Sequence, residues 1–326
     1  MKSLRELYRI GKGPSSSHTM GPNFAAKQFG SVFAEADAYR VTLYGSLAKT
    51  GKGHLTDQAV EQGLAPKPVE ITFDMETGDL PHPNTMDFTA LRGGQEIGST
   101  RVLSIGGGAV SVVGRPEIDT PDVYPHGSFA EIADYCKRHN MHLWQYVEQC
   151  EGEGIWDYLF EVWSTMKNAI IEGLSVTGVL PGGLGVERKA QYLYEQRHID
   201  ESQMTRQNRI VCAYAFAVAE QNAAGGTIVT APTCGSCGVV PAALRYMQQK
   251  RDFSDRQILR ALATGGLVGN LIKTNASISG AECGCQAEIG TACAMAAARC
   301  CEPRWRSNEY GKRALREEPK RPFPME

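Results

Sequence analysis

A short run near the amino terminus concentrates hydroxyl groups and one histidine between glycines. Residues 11–22 read Gly-Lys-Gly-Pro-Ser-Ser-Ser-His-Thr-Met-Gly-Pro, and the polar part extends from Ser15 to Thr19. Hydroxyl and imidazole groups are hydrogen-bond donors, and glycines let backbone amides approach a ligand. Serine and threonine are also favoured N-cap residues. The run therefore predicts either a ligand-binding loop or a capped turn before a helix.

A second glycine-rich run, residues 45–57, contains His54. The run has glycines and lysines but lacks the spacing of a phosphate-binding P-loop, so we exclude nucleotide binding through that motif. Imidazole suits proton transfer near neutral pH. His54 is therefore a candidate acid–base or substrate-binding residue, and an ordinary surface histidine is the alternative.

Cysteines are concentrated in the last third of the chain, which holds seven of the ten. The helical pattern around the Cys-x-x-Cys pair at 234–237 favours a turn at a helix start over a redox motif. Cys283 and Cys285 are one residue apart, which fits a zinc ribbon poorly. Residues 275–288 place thiols, hydroxyls and carboxylates at the expected start of a helix, where free N–H groups stabilise thiolates and anions. This favours binding of a cluster or a carboxylate substrate, with small buried hydrophobes as the alternative for individual cysteines.

The bulk properties indicate a cytoplasmic protein without a nucleic-acid or membrane partner. At 326 residues the chain has room for two domains, and its net charge of −2 offers no basic surface for nucleic acid. It contains no apolar run of about 18 residues that would predict a transmembrane helix. Its first residues also lack the apolar segment of a signal peptide.

The hydrophobic pattern changes near residue 125. Before it, period-2 alternation predicts strands over 39–44, 69–74 and 100–105, and 47–63 reads as a loop and a helix. Prolines mark a linker at 113–127. The pattern predicts an α+β domain at 1–125.

After the linker the apolar residues recur at helical spacing. The predicted helices are 158–174, 206–224, 239–249, 257–272 and 286–298. The second of them has a nearly apolar centre at 210–219, which predicts a buried helix. Residues 126–298 therefore form an all-α domain, which we expect to be incomplete. The last residues, 299–326, are rich in arginine and proline without either period, and we interpret them as an aberrant basic tail or a disordered segment.

Five short motifs occur in a fixed order along the chain. They are Gly13-Pro14-Ser15-Ser16-Ser17-His18-Thr19, Gly51-Lys52-Gly53-His54, Leu180-Pro181-Gly182-Gly183-Leu184, Ala231-Pro232-Thr233, and Ser279-Gly280-Ala281-Glu282 with Gly284-Cys285-Gln286. Together they resemble the iron–sulfur L-serine dehydratases, in the form that joins the β and α portions in one chain. The resemblance covers about residues 1–298.

The resemblance implies deamination of L-serine to pyruvate and ammonia, with a [4Fe–4S] cluster acting as Lewis acid and no pyridoxal phosphate. It implies homo-oligomeric assembly. It places His54 opposite the substrate pocket as the candidate base and makes Cys285 one cluster ligand. The residues that it assigns to the substrate pocket are Ser15, Ser16, Ser17, His18 and Thr19.

The chain departs from the family pattern after residue 298. The two other cluster ligands of the family lie in a Cys-Asp-Pro-Val segment and a Pro-Cys-Ile-Glu-Arg-Asn segment, and neither occurs in this sequence. We therefore expect a truncated chain with an incomplete cluster site, which would leave it inactive unless other thiols substitute. Two further interpretations stay open at this point: a cysteine desulfidase-type lyase, which the helical half resembles, and a non-catalytic serine-binding remnant.

Overall fold

The amino-terminal part is built on a five-stranded sheet with the strand order β3-β2-β4-β5-β6. In the computed structural model, which describes residues 1–114, 121–197, 199–278 and 283–300, β2 pairs in parallel with β3 and every other pair is antiparallel. The strands are β1 (Ile10–Lys12), β2 (Ala38–Tyr44), β3 (Val69–Asp74), β4 (Thr85–Arg92), β5 (Gln95–Gly106), β6 (Ala109–Val112) and β7 (Thr227–Val229).

The strands predicted from alternation are all present, and the sequence reasoning missed the central strand β4. Its alternate residues Met86, Phe88 and Ala90 are fully buried. On the other side of the same strand Asp87 accepts two hydrogen bonds of 2.7 Å from the guanidinium of Arg101, its partner on β5. This alternation is typical of a strand that packs one face against the core and exposes the other: the apolar side chains point inward and the polar pair lies on the outer face.

Three helices belong to this sheet: α1 (Gly21–Val32), α2 (Gly45–Thr50) and α3 (Thr56–Leu64). Phe29 of α1 and Val60 of α3 pack with Val41, Leu43 and Phe88 in one apolar core. The apolar faces of α1 and α3, which repeat every 3.6 residues, thus pack against the apolar face of the sheet, which repeats every second residue. This is the layer arrangement of an α+β fold. The predicted α+β fold of this part is confirmed.

The second part is helical, as predicted. Its helices are α4 (Phe129–Arg138), α5 (Leu143–Glu151), α6 (Ile155–Ser175), α7 (Ala190–Glu195), α8 (Gln203–Ala223), α9 (Val239–Arg251), α10 (Asp255–Asn275) and α11 (Cys285–Cys300). Trp163 of α6 and Leu262 of α10 lie fully buried in a common core. Helices α6 and α8 approach closely at Gly173, where a Cβ atom would lie 2.2 Å from the carbonyl oxygen of Ala217.

The predicted burial of the centre of α8 is only half correct. Ala213, Tyr214, Ala217 and Val218 are buried, whereas the Phe216 side chain is 42% exposed. An apolar run longer than one helical turn faces all directions, so its length cannot show that every face is covered.

The two parts are joined at the start of the chain. Strand β1 pairs antiparallel with β7, so that Ile10 lies opposite Val229. The preceding residues Leu4, Leu7 and Tyr8 are buried in the helical core, and the Tyr8 hydroxyl donates to the Leu262 carbonyl at 3.0 Å. Residues 4–12 therefore connect the segment that follows them to the helical part.

Two expectations lie largely outside the described residues. Residues 115–120 of the linker and the basic tail from 301 onwards are not described, and 299 and 300 are described by backbone only. Within the part of the chain that is described, no helix is both long and apolar enough to cross a membrane.

Candidate active site

The serine run forms a capped turn that leads directly into α1. Ser15 is the N-cap: its Oγ accepts a hydrogen bond of 3.1 Å from the backbone N–H of His18. The Ser15 N–H in turn donates to Oγ1 of Thr19 at 3.2 Å. These bonds satisfy backbone groups at a helix start. The turn, Ser16–Met20, leaves the Ser15 and Ser17 side chains side by side, with 3.5 Å between their hydroxyl oxygens.

Elements from both parts of the molecule fix this turn. Ser104 of β5 donates to the Ser17 carbonyl at 2.7 Å, and Thr56 of α3 donates to the His18 carbonyl at 2.6 Å. From the helical part, Asn222 donates from Nδ2 to the Pro14 carbonyl at 3.0 Å. The Oδ1 atom of Asn222 is buried without a hydrogen-bond partner among the described residues. The turn is therefore held rigidly between the sheet and the end of α8.

His18 and His54 lie together, with their ring centroids 4.7 Å apart. Both ring nitrogens of His18 contact hydroxyl groups: Nδ1 is 3.0 Å from Ser17 Oγ, and Nε2 is 3.0 Å from Ser46 Oγ. Burial, and then the nearby His54, lower the pKa of His18 to about 4, against the effect of a hydrogen bond at Ser46. His18 is therefore neutral at pH 7, and it presents a fixed polar ring rather than a positive charge.

The contacts of His54 leave one ring nitrogen available. Its Nδ1 lies 2.9 Å from the Thr50 carbonyl oxygen, which can only accept, so Nδ1 carries the proton in the neutral ring. Nε2 then holds a lone pair and can accept a proton. The backbone carbonyl of His54 accepts from Thr19 Oγ1 at 2.7 Å, which ties this residue to the serine turn. This is the geometry of a candidate general base.

The Cys-x-x-Cys segment lies next to the turn. Cys234 Sγ is 3.8 Å from the sulfur of Met20, and the Cys237 N–H bonds to the Cys234 carbonyl in a turn that precedes α9. The predicted turn at a helix start is confirmed. Burial raises the pKa of Cys237 to about 12 and raises that of Cys234 as well. Both groups are therefore neutral thiols packed in the core rather than reactive thiolates.

Cys285 lies at the start of α11, and its side chain is exposed, as is that of Cys283. One helical turn later, Glu288 accepts a short hydrogen bond from Thr233 of the neighbouring turn. The carboxylate of Glu288 also lies against Gly235. A Cβ atom added at Gly235 would lie 2.6 Å from Oε1 of Glu288. Helix α11 therefore packs with its first turns against the segment that contacts Met20.

The described residues do not make a complete cluster site. Cys293 is also exposed, but it follows Cys285 by eight residues, which is about 12 Å along a helix and too far for one cubane. No group of three or more histidine, cysteine or acidic side chains among the described residues could hold a metal ion. Cys285 is exposed at the first residue of α11, and the exposed Cys283 lies two residues before it.

The structure thus brings together Ser15, Ser17, His18, Thr19 and His54 in one hydrogen-bonded group, and it places Cys285 on a helix packed beside the neighbouring turn. The Leu180–Leu184 motif lies in an exposed hairpin closed by the bridge Val179↔Glu187.

Three contributors were not identified from the sequence. Ser46 and Thr50 lie within the 45–57 run, so the only available signal was their place among its glycines. Asn222 lies 208 residues from Pro14, and nothing in the sequence pattern pointed to its contact with the turn.

Comparison with known proteins identifies the class to which this arrangement belongs. The family model "Serine dehydratase beta chain" matches residues 3–73, and the model "Serine dehydratase alpha chain" matches residues 89–315. L-serine dehydratase 1 of Escherichia coli is 38% identical, over 91% of this chain and 78% of the relative. L-serine dehydratases of Haemophilus influenzae, at 36% over 91% and 78%, and of Streptomyces coelicolor, at 35% over 90% and 77%, are similar as well.

The chain belongs to the serine dehydratase family. Both portions, β and α, occur in this one chain. The resemblance drawn from the five motifs is therefore confirmed, and the comparisons favour it over a cysteine desulfidase-type lyase.

Proposed function

We propose that this protein deaminates L-serine to pyruvate and ammonia. One observation carries the proposal: in a member of the serine dehydratase family, a rigid turn rich in hydroxyl groups lies beside a histidine whose Nε2 is free to accept a proton. The hydroxyl groups of the turn suit a polar amino-acid substrate, and the histidine suits abstraction of a proton from it.

The turn is the proposed substrate site. Hydroxyl groups of Ser15, Ser16 and Ser17 supply donors for the carboxylate and hydroxyl of L-serine, and Thr19 holds the turn against the His54 carbonyl. The neutral His18, fixed by hydroxyl contacts at both nitrogens, shapes the pocket without adding charge. Because the Asn222 amide, Thr56 and Ser104 hold the backbone, the donors are positioned before the substrate arrives, which lowers the entropic cost of binding.

His54 is the proposed base. Its Nε2 takes the proton from the α-carbon of L-serine, the Cβ–O bond breaks, and the net loss of one water molecule gives aminoacrylate. Aminoacrylate tautomerises to the imine, and water hydrolyses the imine to pyruvate and ammonia.

The family resemblance also implies a [4Fe–4S] cluster, and we propose Cys285 as one of its thiolate ligands. When bound, such a cluster supplies Lewis-acid chemistry at the substrate hydroxyl. Since the described residues do not present a complete ligand set, we derive no step through the cluster.

We further propose that the protein works in the cytoplasm as a homo-oligomer. The hairpin after α6 supports a self-association surface, because Leu184 is 91% exposed and Val179 and Val186 are also exposed. Light scattering should then give a multiple of the chain mass of 35.5 kDa, and Leu184→Glu should reduce it. A wild-type protein that is monomeric at micromolar concentration would contradict this assembly.

The reaction is tested by incubating the anaerobically reconstituted full chain with L-serine and, separately, with L-cysteine. The proposal predicts equal amounts of pyruvate and ammonia from L-serine, with less sulfide released from L-cysteine than pyruvate from L-serine. Sulfide release that exceeds pyruvate formation would favour the desulfidase interpretation, and stabilisation by L-serine without turnover would favour a binding protein.

A further inference from the structure

A cavity of about 800 Å³ lies between the sheet part and the helical part, on the side of the serine turn that is lined by Gly13 and Thr19. Arg5, Glu6, residues 9–13 and Tyr158 form its wall on the helical side, and Asn23, Lys27 and Gln58 form its wall on the sheet side. Neither His18 nor His54 is among its lining residues, whereas Thr19 is. The cavity therefore adjoins the proposed substrate site at Thr19 but does not include the two histidines.

Positive charge predominates in this cavity. Four cationic side chains line it, and Glu6 and Glu161 are its two acidic residues. The cationic residues are Arg5, Arg9, Lys12 and Lys27. The cavity thus carries an excess of two positive charges in a chain whose net charge is −2. A concave site with charge of one sign concentrates the field of those charges.

The two arginines are fixed by the protein. The Arg9 guanidinium donates to the Gly108 carbonyl at 2.5 Å and pairs with Glu6. Arg5 donates to the Gly154 carbonyl at 2.9 Å, and its guanidinium lies 4.5 Å above the Tyr158 ring. Their positions are therefore set before any ligand binds, which lowers the cost of ordering the site.

The two lysines differ from the arginines. Within the described ranges, neither Lys12 nor Lys27 has an ion-pair partner for its ammonium group, and both residues are exposed at the rim. Lys12 belongs to β1 of the helical side and Lys27 belongs to α1 of the sheet side. An anion between them would connect the two parts of the molecule.

A fifth basic residue, Lys273, lies next to Glu6 and Arg9. Lys273 is largely buried and donates to the Glu6 carbonyl at 3.0 Å. Its pKa is lowered, first by burial and then by the charge of Arg9, while Glu6 acts in the opposite direction. Among the charges that act on Lys273, Arg9 has a larger effect than Glu6.

We propose that this cavity binds a small dianion, a phosphate monoester of a short metabolite, and that its occupancy changes the environment of His18 in the serine turn. The excess of two positive charges matches the charge of such a group. The volume exceeds that of phosphate alone, and the exposed ring of Phe24 with Leu55 gives an apolar wall for a carbon skeleton. Because Gly13 and Thr19 line the cavity, the bound ligand contacts the turn that carries His18. The binding proposal does not depend on the reaction proposed above.

Calorimetric titration of the full chain tests the binding. Glycerol 1-phosphate and inorganic phosphate are the anionic probes, and glycerol is the neutral control. We expect saturable binding of glycerol 1-phosphate, weaker binding of phosphate and none of glycerol. The double substitution Lys12→Gln with Lys27→Gln should weaken glycerol 1-phosphate at least about tenfold, since two charge-assisted contacts are lost. Lys137→Gln, at an exposed residue of α4 outside the cavity, should leave the affinity unchanged.

Two results would overturn the proposed binding site. One is the absence of saturable binding of either anion, and the other is binding that the double substitution leaves unchanged. Because both lysines are exposed, the substituted protein should keep its circular dichroism spectrum, and Lys27→Glu provides a second variant that should abolish binding. The coupling to the turn predicts that glycerol 1-phosphate shifts the NMR resonances of the His18 ring. Binding without any shift of those resonances would overturn the coupling.

Discussion

His18 should stay neutral to an unusually low pH, and its neutral state should contribute to folding. Burial and the adjacent His54 ring lower its pKa from 6.5 to about 4. The unfolded chain binds a proton at His18 between these two pH values and the folded chain does not. The free energy of unfolding therefore falls as the pH falls from 6.5 towards 4, and this contribution is fully present above pH 6.5.

The size of this effect follows from the shift. At about 1.36 kcal/mol per pKa unit, a change from 6.5 to about 4 corresponds to about 3.4 kcal/mol. His18 is only partly buried, so solvent screens the interaction, and we expect about 2 kcal/mol. The substitution His18→Gln removes the titrating group while keeping an amide near the Ser17 and Ser46 hydroxyls.

NMR of the protein labelled with ¹³C in its imidazole rings measures the pKa directly, because the chain has only seven histidines. The resonance that disappears in His18→Gln should stay in its neutral position down to about pH 4. Urea unfolding at pH 6.5 and pH 4.5 should show a smaller loss of stability for His18→Gln than for the wild type. His139→Gln, at an exposed residue, should behave like the wild type. A His18 resonance that titrates near pH 6.5 would refute the described environment of the ring.

Three further substitutions probe the turn and the thiol at α11. Gly13→Ala would place a Cβ atom 2.2 Å from the Asn222 carbonyl oxygen and should lower the free energy of unfolding by about 1–3 kcal/mol, whereas Gly53→Ala, with no atom within 4 Å, should be nearly neutral in the same urea titration. Asn222→Ala removes the 3.0 Å bond to Pro14 and should lower stability by about 1 kcal/mol and raise KM for L-serine; an unchanged KM would contradict its positioning role. Cys285→Ser should reduce the iron retained after anaerobic reconstitution at least about tenfold, while the exposed Cys212→Ser should retain the wild-type amount.

Local patterns predicted the long elements of the helical part and two strands of the sheet. The strands at 39–44 and 69–74 and the five helices predicted after residue 157 agree with the structure within a few residues, because each buries one face and the period of its apolar residues reflects that face. The shorter helices α4, α5 and α7 were not predicted. No hydrophobic pattern in the sequence predicted the pairing of β1 with β7. It joins three-residue strands more than 200 residues apart, and its register depends on the packing of both parts.

The candidate site shows the same division. The serine turn can be predicted from the sequence because its polar residues are consecutive. The structure shows the capped turn, and its hydroxyl groups also form the row of donors that a ligand-binding loop requires. The contacts of His18 with Ser46 and of Asn222 with Pro14 join residues far apart in sequence, and residue type alone does not specify a partner. The tautomer of His54 likewise follows from a backbone carbonyl, which every residue possesses.

The rate of pyruvate formation from L-serine by the anaerobically reconstituted full chain, measured beside His54→Gln and His139→Gln, tests the proposed function most directly. The wild type and His139→Gln should form pyruvate, and His54→Gln should do so at a rate at least about 100-fold lower with an unchanged fold. Pyruvate formation by His54→Gln at the wild-type rate would contradict the role of His54. An iron-loaded wild-type chain that forms no pyruvate would contradict the proposed reaction itself.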